Sequence, residues 1–185
     1  MRIVSGSLRG RALAPPKNDA TRPTSDRVRE SIFNILAHGA ASMDLTGTRV
    51  IDLFAGTGAL GLEAISRGAA FALFVEDDPG ARAAIRENIE NFHLTGQTKI
   101  FRRDATALGD SAQHGQFDLA FLDPPYDKGL AVRALTALAS GNWLAPGATI
   151  VLEDRRDAPF TLPEGFTQLD LRTWGETQVL FARYE

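Results

Sequence analysis

The fold is decided by the segment TRVIDLFAGTGALGLEAISRG, residues 48–68. It begins with a short apolar run, residues 48–54, and passes through a glycine-rich turn into a helical pattern. The spacing of Gly56, Gly58 and Gly61 suits a tight turn, a close approach of the backbone to a ligand, and close packing of a helix on a strand. The segment therefore predicts the first strand, loop and helix of an α/β sheet.

Apolar strands and amphipathic helices alternate along the rest of the chain. Further strands are predicted at residues 71–76, 99–103, 117–123, 148–153, 166–173 and 178–184, and further helices at residues 26–37, 80–91 and 129–139. Near-continuous apolar strands separated by helices are typical of a parallel sheet that helices cover on both faces. The last two strands alternate with period two and predict a closing antiparallel pair. The predicted fold class is therefore α/β.

Composition limits the classes of function. The chain has 185 residues, 44% of them hydrophobic and 23% charged, which indicates one globular domain with an appendage. It has no cysteine, which excludes disulfide frameworks, cysteine-ligated metals and thiol nucleophiles. No apolar run reaches the ~18 residues of a membrane span, and no apolar signal region begins the chain. The expectation is a cytoplasmic protein without a membrane partner.

Charge is distributed unevenly along the chain. The net charge is −3, yet the first 30 residues carry seven basic and three acidic side chains. We interpret residues 1–38 as a basic N-terminal arm and helix that bind RNA, and residues 39–185 as the main domain. Arginine forms bidentate hydrogen bonds to phosphate and stacks on bases, so the composition of the arm favours a polyanion as its partner. The alternative is that the arm is a solvated tail. The candidate contacts are Arg2, Arg9, Arg11, Arg22, Thr24 and Arg27.

Acidic residues follow three successive predicted strands. Glu76 comes twenty residues after Gly56 and could accept both hydroxyls of a ribose, while Asp104 could accept the exocyclic amine of adenine. Asp52, or the loop behind it, is the third of these acidic positions. Each acid alone could be an ordinary exposed carboxylate, but ligands of open parallel sheets bind at the carboxyl ends of the strands. The site is therefore predicted to hold adenosine, which leaves NAD and S-adenosylmethionine open.

The tetrapeptide Asp123-Pro124-Pro125-Tyr126 follows the fourth predicted strand and discriminates between these cofactors. Two consecutive prolines make a rigid corner, although a proline-rich turn without a function is the alternative. Asp123 Oδ and the Pro124 carbonyl could accept the two hydrogens of an exocyclic amine. Tyr126 could stack on its base, an interaction worth about 1–3 kcal/mol. The lone pair of the amine would then face the methyl sulfonium of S-adenosylmethionine, and displacement would need mainly positioning and electrostatics, without a metal.

Residues 52–64 and 123–126 resemble class I S-adenosylmethionine-dependent methyltransferases that act on amino groups. The stretch RPTSDRVRE, residues 22–30, is similar to bacterial 16S rRNA guanine methyltransferases, and this resemblance runs from Arg2 to about Tyr184. It implies a Rossmann-like sheet of seven strands, the last antiparallel, with a small N-terminal hairpin. It also implies methylation of the exocyclic amine N2 of one guanine in assembled or assembling small subunits.

The resemblance also implies roles for individual residues. The residues implied to bind the cofactor are Asp52, Phe54, Ala55, Gly56, Gly58, Glu76, Asp104 and Ala105. The residues implied to hold the base and serve catalysis are Asp123, Pro124 and Tyr126. Arg22 and Thr24 could reach the cofactor carboxylate or an RNA phosphate, or could only anchor the arm on the main domain.

The implied cofactor is S-adenosylmethionine, the implied partner is 16S rRNA within the small subunit, and the expected oligomeric state is a monomer. No metal is expected. Three alternatives stay open at this point. They are a methyltransferase that acts on another nucleobase or on a protein glutamine, an NAD-dependent enzyme on the same fold, and a non-enzymatic RNA-binding protein.

Overall fold

A seven-stranded sheet forms the centre of the computed structural model, which describes residues 1–18, 23–126 and 129–185. The strands are β1 Arg49–Leu53, β2 Phe71–Val75, β3 Thr98–Phe101, β4 Phe117–Leu122, β5 Leu144–Arg155, β6 Phe166–Trp174 and β7 Thr177–Tyr184. Their order across the sheet is β3-β2-β1-β4-β5-β7-β6. The first five are parallel, and β7 lies antiparallel between β5 and β6. The predicted α/β, Rossmann-like fold class is confirmed.

Of the helices in the described residues, two begin after a polar residue that caps them and two begin after a glycine. The helices are α1 Asp26–His38, α2 Ala59–Ser66, α3 Pro79–Asn91 and α4 Leu130–Ser140. The Ser25 side chain accepts a hydrogen bond from the Val28 N–H, and Asp78 accepts one from the Ala81 N–H. Among the described residues, no helix has the length and apolar character needed to cross a bilayer.

Strand β5 is longer than predicted. It begins at Leu144 rather than at residue 148, and Leu144 pairs with Phe117 ahead of a register shift in the ladder with β4. Pro146 and Gly147 interrupt the apolar run at this point, so the local sequence indicates a turn. The start of β5 at Leu144 is therefore set by its pairing with β4 and not by the local sequence.

Two apolar clusters cover the two faces of the sheet. Along β1, Val50 belongs to the cluster beneath α1, α2 and α3, whereas Ile51 and Leu53 belong to the cluster beneath α4. Because neighbouring residues of a strand point to opposite faces, a strand that is buried on both faces needs apolar side chains at most of its positions. Ile3 and Leu13 from the N-terminal arm also join the first cluster.

The N-terminal arm folds back on itself and packs against α2. Arg2 and Ala12 pair in an isolated antiparallel bridge, and the Ser7 N–H donates to the Ser66 carbonyl at 2.8 Å. Gly6 has φ +84°, and a Cβ there would lie 1.9 Å from the same carbonyl oxygen, so only glycine fits. Ser66 is the last residue of α2. At 1.5 Å per residue, the tip of the arm therefore lies about 12 Å along that helix from the glycine loop.

A buried ion pair joins α1 to α2 beneath the arm. The side chains of Arg29 and Glu63 are both fully buried, with Arg29 Nε 3.5 Å from Glu63 Oε2. The Glu63 carboxylate also accepts the N–H groups of Val4 and Ser5, at 2.8 and 2.9 Å, and pairs with Arg67 at 3.0 Å. These contacts give Arg29, part of the RPTSDRVRE stretch, an internal role in anchoring the arm that sequence reasoning missed.

Candidate active site

A cavity of about 530 Å³ opens at the carboxyl ends of β1, β2, β4 and β5. The acidic residues that line it are Asp52, Glu76, Asp77, Asp78, Asp123 and Glu153. Among the described residues that line it, none is Lys, Arg or His. The described ranges contain no group of His, Asp and Glu side chains that could hold a metal ion. The lining therefore suits an organic ligand that carries positive charge.

The glycine loop forms one wall of this cavity. Gly56 and Gly58 have φ values of +59° and +79°, which glycine adopts without strain. Gly61 lies where a Cβ would come within 2.5 Å of the Phe74 ring, and its N–H donates to Asp52 Oδ2 at 3.0 Å. The predicted close packing of helix on strand at Gly61 is present in the structure, and it brings the Asp52 carboxyl behind the loop.

Burial dominates the acidity of Asp52. Only 2% of this residue is exposed, and burial raises the pKa of its carboxyl to about 8. The hydrogen bond from Gly61 opposes this shift, while the charge of Glu76 adds to it. Asp52 therefore holds its proton at neutral pH in the folded chain, whereas the same carboxyl ionises in the unfolded chain.

Replacing Asp52 by Asn is expected to change how stability depends on pH. Between about pH 4 and pH 8 the unfolded wild-type chain loses this proton and the folded chain keeps it. The free energy of unfolding of the wild type therefore falls by up to about 1.4 kcal/mol for each unit by which the pH rises. The contribution of protonated Asp52 to stability is complete below the pKa of this carboxyl in the unfolded chain, and it is lost as the pH rises to about 8. Urea titrations across this range should show Asp52→Asn gaining stability relative to the wild type as the pH rises. Parallel curves would contradict the raised pKa.

Glu76 joins the glycine loop to the end of β2. Its Oε2 accepts the Gly56 N–H at 2.9 Å, and its Oε1 accepts the Asp78 N–H at 3.0 Å. Burial raises the pKa of Glu76, and these two backbone hydrogen bonds oppose that shift. Each carboxylate oxygen accepts more than one hydrogen bond, so Glu76 can hold the loop and also accept ribose hydroxyls.

The Asp-Pro-Pro-Tyr corner follows β4, the neighbour of β1 in the sheet, and also lines the cavity. Asp123, Pro124 and Tyr126 all line the cavity, together with the glycine loop. Burial first, and then the charge of Glu153, raises the pKa of Asp123 well above its usual range, while a hydrogen bond from Thr24 opposes the shift. The structure thus brings the three predicted base-holding residues to the rim of the predicted cofactor cavity.

Some of the predicted cofactor residues line the cavity and others lie outside its lining. Those that line the cavity are Asp52, Phe54, Ala55, Gly56 and Glu76. Gly58 caps the start of α2, outside the lining. Asp104 is exposed, also outside the lining, and accepts the Thr106 N–H and hydroxyl at 2.8 and 2.7 Å, while Ala105 is buried. Those hydrogen bonds hold the Asp104 carboxylate in its own loop, and the contact of Asp104 and Ala105 with a nucleoside stays a prediction.

The predicted RNA contacts also have different surroundings. Arg2 donates to the Gly10 carbonyl at 2.8 Å, and Arg11 donates to the Asn91 carbonyl at 2.7 Å. Arg9 and Arg27 are exposed, and Arg22 lies outside the described residues. Arg2 therefore forms a hydrogen bond within the arm and Arg11 joins the arm to the end of α3, whereas Arg9 and Arg27 present their charge to solvent. Contact of these residues with RNA stays a prediction.

Thr24 is placed inside the cavity rather than on the outer surface. It is 8% exposed, and its Oγ1 lies 3.2 Å from Asp123 Oδ2 and 2.9 Å from Glu153 Oε2. Sequence reasoning missed Glu153 altogether. The signal was present, because Glu153 ends an apolar strand as Asp123 does, and Leu122 pairs with Leu152 in the parallel ladder.

Comparisons with known proteins agree with this architecture. A family model described as "Conserved hypothetical protein 95" matches residues 1–183. Ribosomal RNA small subunit methyltransferase D of Haemophilus influenzae is 34% identical over 177 residues, which cover 95% of this chain and 89% of that protein. The solved structure of yhhF from Escherichia coli has a TM-score of 0.82 and is 30% identical, covering 100% of this chain and 98% of that chain.

The methyltransferase fold extends to more distant structures. The complex of SMU.776 with SAH (S-adenosylhomocysteine) has a TM-score of 0.60 and is 17% identical, covering 85% of this chain and 48% of that chain. The family match spans nearly the whole chain and includes both the arm and the Asp-Pro-Pro-Tyr corner. The chain belongs to the conserved hypothetical protein 95 family, the methyltransferase family of ribosomal RNA small subunit methyltransferase D.

Proposed function

We propose that this protein transfers a methyl group from S-adenosylmethionine to the exocyclic amine N2 of a guanine in 16S rRNA, within the small ribosomal subunit. The observation that carries the proposal is that Asp123, Pro124 and Tyr126 line the same cavity as the glycine loop. A group of hydrogen-bond acceptors suited to an amine thus faces the place where the fold binds its cofactor. The choice of guanine and of 16S rRNA rests on the family.

The charge of the cavity supports S-adenosylmethionine over NAD. S-adenosylmethionine carries a positive sulfonium and a positive ammonium group. Even with Asp52 and Asp123 neutral, the acidic side chains of Glu76, Asp77, Asp78 and Glu153 line the cavity. NAD would bring two negative phosphates into the same space, where like charges repel. The glycine loop and the Glu76 carboxylate supply the backbone and the acceptor that a nucleoside needs.

The protein would act mainly by positioning. Asp123 Oδ and the Pro124 carbonyl accept the two hydrogens of the exocyclic amine, which turns the nitrogen lone pair toward the cofactor. Tyr126 stacks on the base, which leaves its helix or loop at a cost of a few kcal/mol. When bound, S-adenosylmethionine supplies an activated methyl group. No side chain of the protein needs to form a covalent bond.

The arm would contact RNA beyond the target base. Arg9 and Arg27 are exposed, and the tip of the arm lies about 12 Å along α2 from the glycine loop. Binding through phosphates weakens as salt concentration rises. The small subunit as substrate places the reaction in the cytoplasm, and we expect a monomer to carry it out.

Methylation of undermodified small subunits with labelled S-adenosylmethionine tests the proposal. We expect label in a single guanine of 16S rRNA, recovered as N2-methylguanosine. Label in adenine, in cytosine or in a protein glutamine would instead support the alternative amino-methyltransferases. Calorimetry with NAD and S-adenosylhomocysteine tests the cofactor, and a preference for NAD would refute the mechanism.

Glu76→Ala is expected to weaken S-adenosylhomocysteine binding at least about tenfold, because it removes the ribose acceptor and releases the Gly56 N–H. Asp104→Ala removes one predicted contact at an exposed residue and is expected to weaken binding by about two- to tenfold. Isothermal calorimetry measures both. An unchanged affinity in Glu76→Ala would remove Glu76 from the cofactor site, and an unchanged affinity in Asp104→Ala would remove Asp104.

A further inference from the structure

A single hydroxyl connects two carboxyl groups at the rim of the cavity. Thr24 Oγ1 lies 3.2 Å from Asp123 Oδ2 and 2.9 Å from Glu153 Oε2. A threonine hydroxyl has one proton, so donation to both oxygens at once would be a weak, bifurcated bond between two like charges. For each contact to be a full hydrogen bond, one of the two carboxyls must donate a proton of its own. The geometry therefore indicates that Asp123 and Glu153 hold a proton between them.

The surroundings favour Asp123 as the carboxyl that holds the proton. Burial and the charge of Glu153 raise its pKa, and Asp52 from β1 and Asp154 from β5 raise it further. The shorter of the two contacts runs from the Thr24 hydroxyl to Glu153, as expected for donation to a charged acceptor. In this arrangement Asp123 Oδ2–H donates to Thr24, in place of the donation from Thr24 that would lower the pKa of Asp123, and Thr24 donates to the Glu153 carboxylate. The second oxygen of Asp123, Oδ1, is left as the acceptor for an amine.

We propose that Thr24 and Glu153 are positioning residues that relay the proton of the methylated amine from Asp123 to Glu153. The inference rests on the proposed function, because it needs an amine at Asp123. It assigns a role in the reaction to a residue of the N-terminal segment. Thr24 lies two residues before α1, and α1 is held against α2 by the buried pair of Arg29 and Glu63.

The relay balances atoms and charges. A bond forms between the amine nitrogen and the methyl carbon, while the carbon–sulfur bond breaks and its electron pair stays on sulfur. The nitrogen, now positively charged, gives one proton to Asp123 Oδ1. The proton on Asp123 Oδ2 moves to Thr24 Oγ1, and the Thr24 proton moves to Glu153 Oε2. Asp123 ends neutral as it began, Glu153 ends protonated, and its proton later leaves to solvent.

Single-turnover methylation of undermodified small subunits, with saturating S-adenosylmethionine, tests the relay. Thr24→Val keeps the size of the side chain and removes the hydroxyl, and it should lower the rate by about 10- to 100-fold. Thr24→Ser restores the hydroxyl and should stay within about threefold of the wild type. Affinity for S-adenosylhomocysteine, measured by calorimetry, should change by less than about threefold in either variant. Thr149→Val, which removes a buried threonine hydroxyl in the middle of β5, is the matched control.

Glu153→Gln is the second variant, and it should slow the reaction to a similar extent. Because both residues act in one relay, combining it with Thr24→Val should slow the reaction by no more than about twofold beyond the slower single variant. A Thr24→Val rate within about twofold of the wild type overturns the relay, as do independent, multiplying losses in the double variant. A wild-type protein that does not methylate subunits overturns the proposed function as well.

Discussion

Asp123→Ala is expected to lower the methylation rate at least about a thousandfold, while affinity for S-adenosylhomocysteine changes by less than about threefold. The side chain would orient the target amine and accept its proton, so its loss removes both contributions. The hydrogen bonds of the glycine loop and of Glu76, which would hold the cofactor, do not involve Asp123 and are kept. Single-turnover assays and calorimetry on the same preparations measure the two effects separately.

Asp123→Asn separates orientation from proton transfer. The amide oxygen still accepts an amine hydrogen, and the amide N–H can donate to Thr24 Oγ1 as the protonated carboxyl would. We therefore expect an intermediate loss of about 10- to 100-fold. Asp170→Ala, which removes the partly buried partner of Arg172 on β6, is the control for loss of a carboxylate. Turnover by Asp123→Ala close to that of the wild type would exclude Asp123 from catalysis.

Glu63→Gln is expected to destabilise the fold by about 3–5 kcal/mol, because it removes the buried carboxylate beside Arg29 and leaves that charge to the half-exposed carboxylate of Asp26, 2.9 Å away. The same change weakens the acceptor that holds the Val4 and Ser5 N–H groups, so the arm should detach before the sheet unfolds. Urea unfolding measures the loss of stability. Hydrogen exchange at the Val4 and Ser5 amides should report the early release of the arm.

The surface pair Lys17–Glu87 provides a matched control for this prediction. Its side chains are 49% and 44% exposed, although its nitrogen and oxygen are only 2.6 Å apart. Solvent screens such a pair, so Glu87→Gln should cost less than about 1 kcal/mol. Equal losses of stability in the two variants would show that burial does not set the importance of the Arg29–Glu63 pair.

Several features of the site could be predicted because they depend on local sequence. Apolar periodicity locates the strands, and parallel strands bring their carboxyl ends to one edge of the sheet. That rule places Glu76 and Asp123 near the glycine loop without knowledge of any distance, and the structure places both around one cavity. The two prolines likewise fix the corner after β4 through their own ring geometry.

The sequence by itself therefore determined the α/β fold, the edge at which the cavity forms and the Asp-Pro-Pro-Tyr corner. Only the tertiary structure decided that Thr24 reaches Asp123 and Glu153 and that Arg29 is buried against Glu63. The physical reason is that apolar periodicity reports the burial of residues close together in the chain. These contacts join residues far apart in the chain, and they depend on strand register and on the docking of the N-terminal segment onto the sheet.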